Sequence, residues 1–160
     1  MIRLLVAALA TACAVKGDPE LTLGSAEAAV SGYATAVHPI LEARCATLDC
    51  HGDGGRALRL FAETGLRARD ELRGAPITPD ELLDDVRSLV AVDPGAAPAQ
   101  SLVVTKPLAG GVDHVGRALW DSIDEPQAVC VVAWLDGRLG DPAATAACER
   151  ALDEVALPPP

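Results

Sequence analysis

Aromatic side chains are nearly missing from this chain: one Tyr, one Phe and two Trp stand against 30 Ala in 160 residues. Half of the residues are apolar, which suits one globular domain and leaves no room for two large ones. A core drawn mostly from alanine is thin, however, and something other than side-chain bulk has to reinforce it. Methionine is scarcer still, since Met1 is the only one. Basic residues are also in deficit, 13 Lys+Arg against 23 Asp+Glu for a net charge of -10. A nucleic-acid phosphate backbone is repelled by such a surface, so nucleic-acid binding is excluded. No apolar run is long enough to span a bilayer. Catalytic signatures are lacking as well: Ser101 has no G-x-S-x-G context, and the acidic pair Asp84-Asp85 reads as solvated helix surface. Hydrolytic catalysis therefore finds little support in the sequence.

The first segment, Met1-Ile2-Arg3 followed by Leu4 to Ala12, has one positive charge, a short apolar run and small residues before Cys13. That layout predicts a signal peptide over residues 1–12. Ala10-Thr11-Ala12-Cys13 resembles the lipobox of bacterial lipoproteins, which implies that Cys13 becomes the lipidated first residue. A plain secretory signal cut elsewhere and a core segment are the other readings of this stretch. Residues 13–25, with Gly17, Asp18 and Pro19, read as a tether, and residues 26–157 as the folded domain. The expected location is the cell envelope, facing the periplasm or the cell surface, with membrane contact through the lipid anchor only. Export also sets the redox context, in which the remaining Cys45, Cys50, Cys130 and Cys148 end in disulfides or cofactor bonds.

Periodicity along the domain is helical. Tyr33, Val37, Ile40 and Leu41 recur at helical spacing and run into Cys45, with Pro39 marking a kink or first turn. The mixed stretch holding Leu58, Leu60, Phe61 and Leu66 has no assignable pattern. Thr78-Pro79-Asp80-Glu81 is a capping box with Pro at the first helical position, opening a helix whose face is Leu82, Val86, Leu89 and Val90. Pro94, Gly95 and Pro98 end it and open a long irregular segment reaching Gly116, of the kind that is usually functional. Two helices close the chain. The first buries Ala128, Val131, Val132 and Leu135; the second, capped by Asp141, buries Ala144, Ala147, Cys148, Ala151 and Val155. The turn between them centres near Arg138 and Leu139, so Cys130 and Cys148 fall level in an antiparallel hairpin, and a Cys130–Cys148 disulfide is predicted.

Chemistry concentrates in Cys45-Ala46-Thr47-Leu48-Asp49-Cys50-His51-Gly52. A covalent haem requires two thiols for thioethers to the vinyl groups and a histidine directly after the second to reach the iron. The usual spacing is C-x-x-C-H; here it is C-x4-C-H, and the two additional residues can be looped out. At this point the chain resembles the planctomycete-type cytochrome c family. The likeness runs from Val37-His38-Pro39-Ile40-Leu41 through Cys50-His51-Gly52 and Leu58-Arg59-Leu60. It continues with Pro94-Gly95, Ser101-Leu102-Val103, Lys106-Pro107-Leu108, Asp113-His114-Val115-Gly116 and Ala133-Trp134-Leu135-Asp136-Gly137. The resemblance implies a small all-α, cytochrome c-like domain with long irregular loops and one covalent haem c. In it Cys45 and Cys50 are the attachment sites and His51 is the proximal iron ligand.

Loss of Met1 with the signal removes any Met/His axial pair. His114, in a Gly-rich loop, is the candidate distal ligand; Lys106 and an open sixth position are the alternatives. His38, seven residues before Cys45, is expected to pack or be solvated on the proximal side. The function expected is single-electron transfer to an envelope redox partner, a basic one if the acidic surface steers it. Three competing readings use the same residues. One is a haem-free envelope lipoprotein with a degenerate scaffold and two disulfides. Another pins a turn with a Cys45–Cys50 bridge. The third is a zinc site from Cys45, Cys50, His51 and His114, in which the adjacent Cys50 and His51 would strain to share one tetrahedral ion.

Overall fold

In the computed structural model, residues 26–110, 114 and 118–156 are described. The predicted signal, the lipidation site Cys13 and the tether lie outside them. Among the described residues there are helices and loops but no strand; two isolated bridges, Phe61 with Leu66 and Leu108 with Trp120, are the extent of β pairing. The domain is all-α.

The first helical column comprises α1 (Ala26–Gly32), a π-helical turn (Tyr33–Val37) and α2 (His38–Arg44). Pro39 explains the wide turn: it has no N–H to donate, and its ring would crowd the carbonyl one turn back, so the backbone widens just before it. The His38 amide accordingly bonds Tyr33 O. This column buries Tyr33, Val37, Ile40 and Leu41, the stripe that the spacing predicts.

Helix α3 (Pro79–Ala91) starts with the predicted capping box, Thr78 and Glu81 each satisfying the other's amide. Leu89 and Val86 are buried, with Leu82 and Val90 partly so. The expectation for Asp85 is overturned: it is fully buried. Its position one turn after Glu81 puts it on the inner edge of the same face, where donors from two other segments meet it. The long segment after α3 is less irregular than predicted, since a 3-10 turn (Pro98–Gln100) and the one-turn helix α4 (Leu102–Thr105) interrupt it. Ser101 caps α4 and is itself held by Asp93 at 3.0 Å.

Helices α5 (Pro126–Leu135) and α6 (Pro142–Ala156) form the C-terminal hairpin. Gly137, at φ +66°, ends α5; its amide bonds Trp134 O and the next amide, Arg138, bonds Ala133 O. This is the left-handed terminus that glycine adopts without a Cβ penalty. Ala128 and Val131 are buried as predicted, whereas Val132 and Leu135 are half-buried and Trp134 and Cys130 take the interior positions. On α6, Ala144, Ala147, Cys148 and Ala151 are buried and Val155 is half-buried. Small residues along α6 let it approach α5 closely, and a Cys130–Cys148 disulfide joins the two at a Cα separation of 4.8 Å. Reducing this bridge, with 18 residues of sequence separation, is expected to cost about 3 kcal/mol of stability by releasing denatured-chain entropy. Urea unfolding with and without reductant measures it, and coincident curves would contradict the role.

Tyr33, Trp120 and Trp134 supply the bulk of the core, all three nearly inaccessible. Tyr33 and Trp134 pack at 5.3 Å between ring centroids, tying the first column to α5. Each indole finds a carbonyl: Trp134 donates to Ala29 O and Trp120 to Val104 O. Tyr33 and Trp134 thus join the first helical column to α5, and Trp120 anchors its loop against α4.

Candidate functional site

The C-x4-C-H segment leaves the end of α2 in a knot of backbone hydrogen bonds. Cys45 and Ala46 amides both return to Leu41 O, the Cys50 and Gly52 amides both bond Thr47 O, and the His51 amide bonds Cys45 O at 3.0 Å. That last bond brings the two ends of the motif together, so Thr47, Leu48 and Asp49 project into solvent as a loop while Ala46 turns inward. Gly52 is required by close approach: a Cβ there would run into the Ala46 carbonyl oxygen. Three of the four residues between the cysteines thus lie in an exposed loop.

His51 is fixed by three contacts. Besides its amide bond, its carbonyl accepts from Leu60 N at 2.8 Å, and its Nδ1 lies 3.0 Å from Leu58 O. A carbonyl can only accept, so Nδ1 carries the proton and Nε2 keeps its lone pair. A histidine held in this tautomer by a backbone carbonyl is oriented as a metal ligand is, with the second nitrogen free. Burial lowers the pKa of His51, and His114, Arg56 and Lys106 push the same way against the opposing Leu58 carbonyl. The ring is thereby kept neutral, the form that ligates.

His114 comes from the segment after α4. The base of its loop is closed where Leu119 N bonds Pro107 O and Ala109 N bonds Trp120 O, and buried Trp120 anchors that base. The loop carries His114 to His51 with ring centroids 6.3 Å apart and planes 20° from parallel. Rings in face-to-face contact would be much closer. His114 Nδ1 is buried and has no hydrogen-bond partner, and an unsatisfied buried nitrogen is costly unless something binds it. Two imidazoles therefore stand side by side here, one with a buried nitrogen that has no partner.

Cys45 is buried and Cys50 half-buried, and neither is bridged. Burial pushes the Cys45 thiol up to about 12, with Cys50 adding to the effect. Zinc would take these sulfurs as thiolates, whereas covalent haem would take them as neutral thioethers. Among the described residues no group of three or more His, Cys, Asp and Glu is placed to hold a metal ion. The Cys45–Cys50 disulfide is not formed here either.

His38 packs, and not against the motif. It is buried, with Nε2 3.2 Å from Phe61 O. Lys106 is half-buried and contributes charge to the surroundings of His51. Sequence reasoning missed two buried polar groups behind the site. Arg67 and Glu81 pair at 2.8 Å with both side chains fully buried, and Asp85 accepts from Tyr33 Oη at 3.0 Å and Phe61 N at 2.9 Å. A signal was present, since Glu81 and Asp85 share one edge of the α3 face with Leu89.

No family model, curated protein or solved structure matches the chain.

Proposed function

We propose that this chain is an exported, lipid-anchored monohaem protein of the c-type cytochrome kind that passes single electrons. The observation that carries the reading is the facing pair His51 and His114, 6.3 Å apart, with His51 locked by Leu58 into the tautomer that leaves Nε2 free. Cys45 and Cys50 would hold haem c through thioethers, His51 would be its proximal ligand and His114 its distal ligand. Bound there, haem supplies a one-electron ferric/ferrous couple, and two imidazoles set a lower potential than a Met/His pair would.

The protein's own part is positional. The bonds from Cys45 O, Leu60 N and Leu58 O hold His51 against rotation. Trp120, paired with Leu108, donates to Val104 O just beyond the segment that carries His114. The acidic surface suits a basic redox partner, whose association rate would fall as salt rises.

Replacement of His114 by Ala is expected to convert a six-coordinate low-spin absorption spectrum into a five-coordinate one, with haem still attached. A spectrum unchanged in that variant would remove His114 from the ligand set. His51→Ala is expected to lower the yield of haem-loaded protein; equal haem content and an equal spectrum would contradict the proximal role.

A further inference from the structure

Behind the His51 site lies a buried ionisable cluster that iron ligation does not use. Asp85 has no solvent exposure. Its Oδ1 accepts from Phe61 N, its Oδ2 accepts from Tyr33 Oη, and His38 Nε2 stands 3.8 Å from Oδ2. On the far side of the same ring, His38 Nδ1 is 3.8 Å from Glu42 Oε2. Glu42 is partly exposed, at 31%, and its other oxygen is fixed by Glu63 N at 2.7 Å. A carboxyl at the surface, an imidazole and an interior carboxyl thus stand in a row, each step short enough for a side-chain rotation or one water to close.

The inner end of this row is connected to the site. Residues 58–61 form one strip of backbone: Leu58 O holds His51 Nδ1, Leu60 N holds His51 O, Phe61 N holds Asp85 and Phe61 O faces His38. Other groups facing Asp85 are acidic or neutral. Burial, with Glu81 and Asp84 on its own helix, raises its pKa to about 7 against the hydrogen bonds from Phe61 N and Tyr33 Oη; Tyr33 comes from the first helical column. Arg67 is committed to Glu81. An added negative charge nearby has no fixed cation to meet it and favours a proton instead.

Resting on the functional reading above, we propose that Glu42, His38 and Asp85 form a proton relay that makes electron uptake at the His51 site proton-coupled. A one-electron reductant delivers an electron to the site. One proton from bulk water passes by way of Glu42 and His38 and forms an O–H bond on an Asp85 carboxyl oxygen. Reoxidation returns both, and no other bond changes. Linkage makes the effect reciprocal: if reduction favours protonation, protonation raises the potential.

The test is a redox titration of the haem-loaded, full-length protein across a series of pH values around neutrality, with haem content measured on the same samples. The midpoint is expected to fall as pH rises, approaching a tenfold change in the oxidised/reduced ratio per pH unit, about 59 mV. Asp85→Asn keeps a hydrogen-bonding side chain for Tyr33 and Phe61 and is expected to flatten the dependence. Glu42→Gln should preserve the equilibrium dependence but slow proton uptake at least tenfold, read with an indicator dye after rapid reduction. Should Asp85→Asn fail to fold, the wild-type redox-difference infrared spectrum answers the same question, since reduction should produce a protonated-carboxyl band. A haem-loaded protein with a pH-independent potential, no such band, or an unchanged slope in Asp85→Asn overturns the relay and leaves the functional reading standing. Protein that carries no haem overturns the functional reading, and the relay with it.

Discussion

Arg67→Met is expected to lower the folding free energy by about 3–5 kcal/mol, because it leaves Glu81 as a buried carboxylate without its cation. The pair is fully enclosed, and it does more than neutralise charge. Arg67 Nε and Nη2 grip both oxygens of Glu81, while the remaining donors reach the carbonyls of Leu72, Ala75 and Pro76. Glu81 in turn accepts from Ala68 N, Thr78 N and Thr78 Oγ1. The whole excursion from Arg67 to the start of α3 is therefore organised around one guanidinium, with the 3-10 turn at Asp70–Leu72 folded across it. Lysine could not replace it, having no planar fork to span two carboxylate oxygens. Hydrogen bonds from Arg67 hold Glu81 down to about 2 from an ordinary 4.5, against the opposing effect of burial. A depressed carboxyl contributes stability that is fully present above its unfolded pKa and is lost as pH falls through the folded one. Stability should thus drop between pH 4.5 and about 2 by about 3 kcal/mol. Urea unfolding of wild type and Arg67→Met at neutral and acidic pH checks both statements. A loss below about 1 kcal/mol at neutral pH, of the size seen for surface pairs, would show that the pair is not the organising contact.

The second large effect is at the cysteines. Cys45→Ala/Cys50→Ala is expected to abolish covalent haem altogether, whereas either single change should leave one thioether and a reduced yield. The double variant should also unfold more easily. Three of the four aromatic residues are already buried within the protein, and a bound porphyrin would supply the large apolar centre that alanine-rich helices do not. A double variant of wild-type stability and spectrum would show that nothing apolar is held there.

What the sequence disclosed and what it concealed divide along the range of the interactions. The capping box at Thr78-Pro79-Asp80-Glu81 is a local device, and so is the helical stripe of Tyr33, Val37, Ile40 and Leu41; each was readable from spacing alone. The Cys130–Cys148 bridge was readable because a short turn makes distance from it a register. The C-x4-C-H segment declared its residues but not their setting, since the Leu58 carbonyl that orients His51 is backbone and leaves no side-chain signature. His114 could be singled out by scarcity, being one of three histidines, though only the folded loop shows it facing His51. Arg67–Glu81 and Tyr33–Asp85 were concealed for a different reason. Their partners are brought together by residues 58–78, a stretch without periodicity, so Asp85 looked like the solvated neighbour of Asp84.

The most direct test of the account is a haem stain combined with intact mass on the denatured protein, produced in an exporting host that has c-type cytochrome maturation machinery. The account predicts a haem mass that survives denaturation and reduction and disappears in Cys45→Ala/Cys50→Ala. A mass without haem, with Cys45, Cys50, Cys130 and Cys148 all titrating as thiols after reduction, would contradict it.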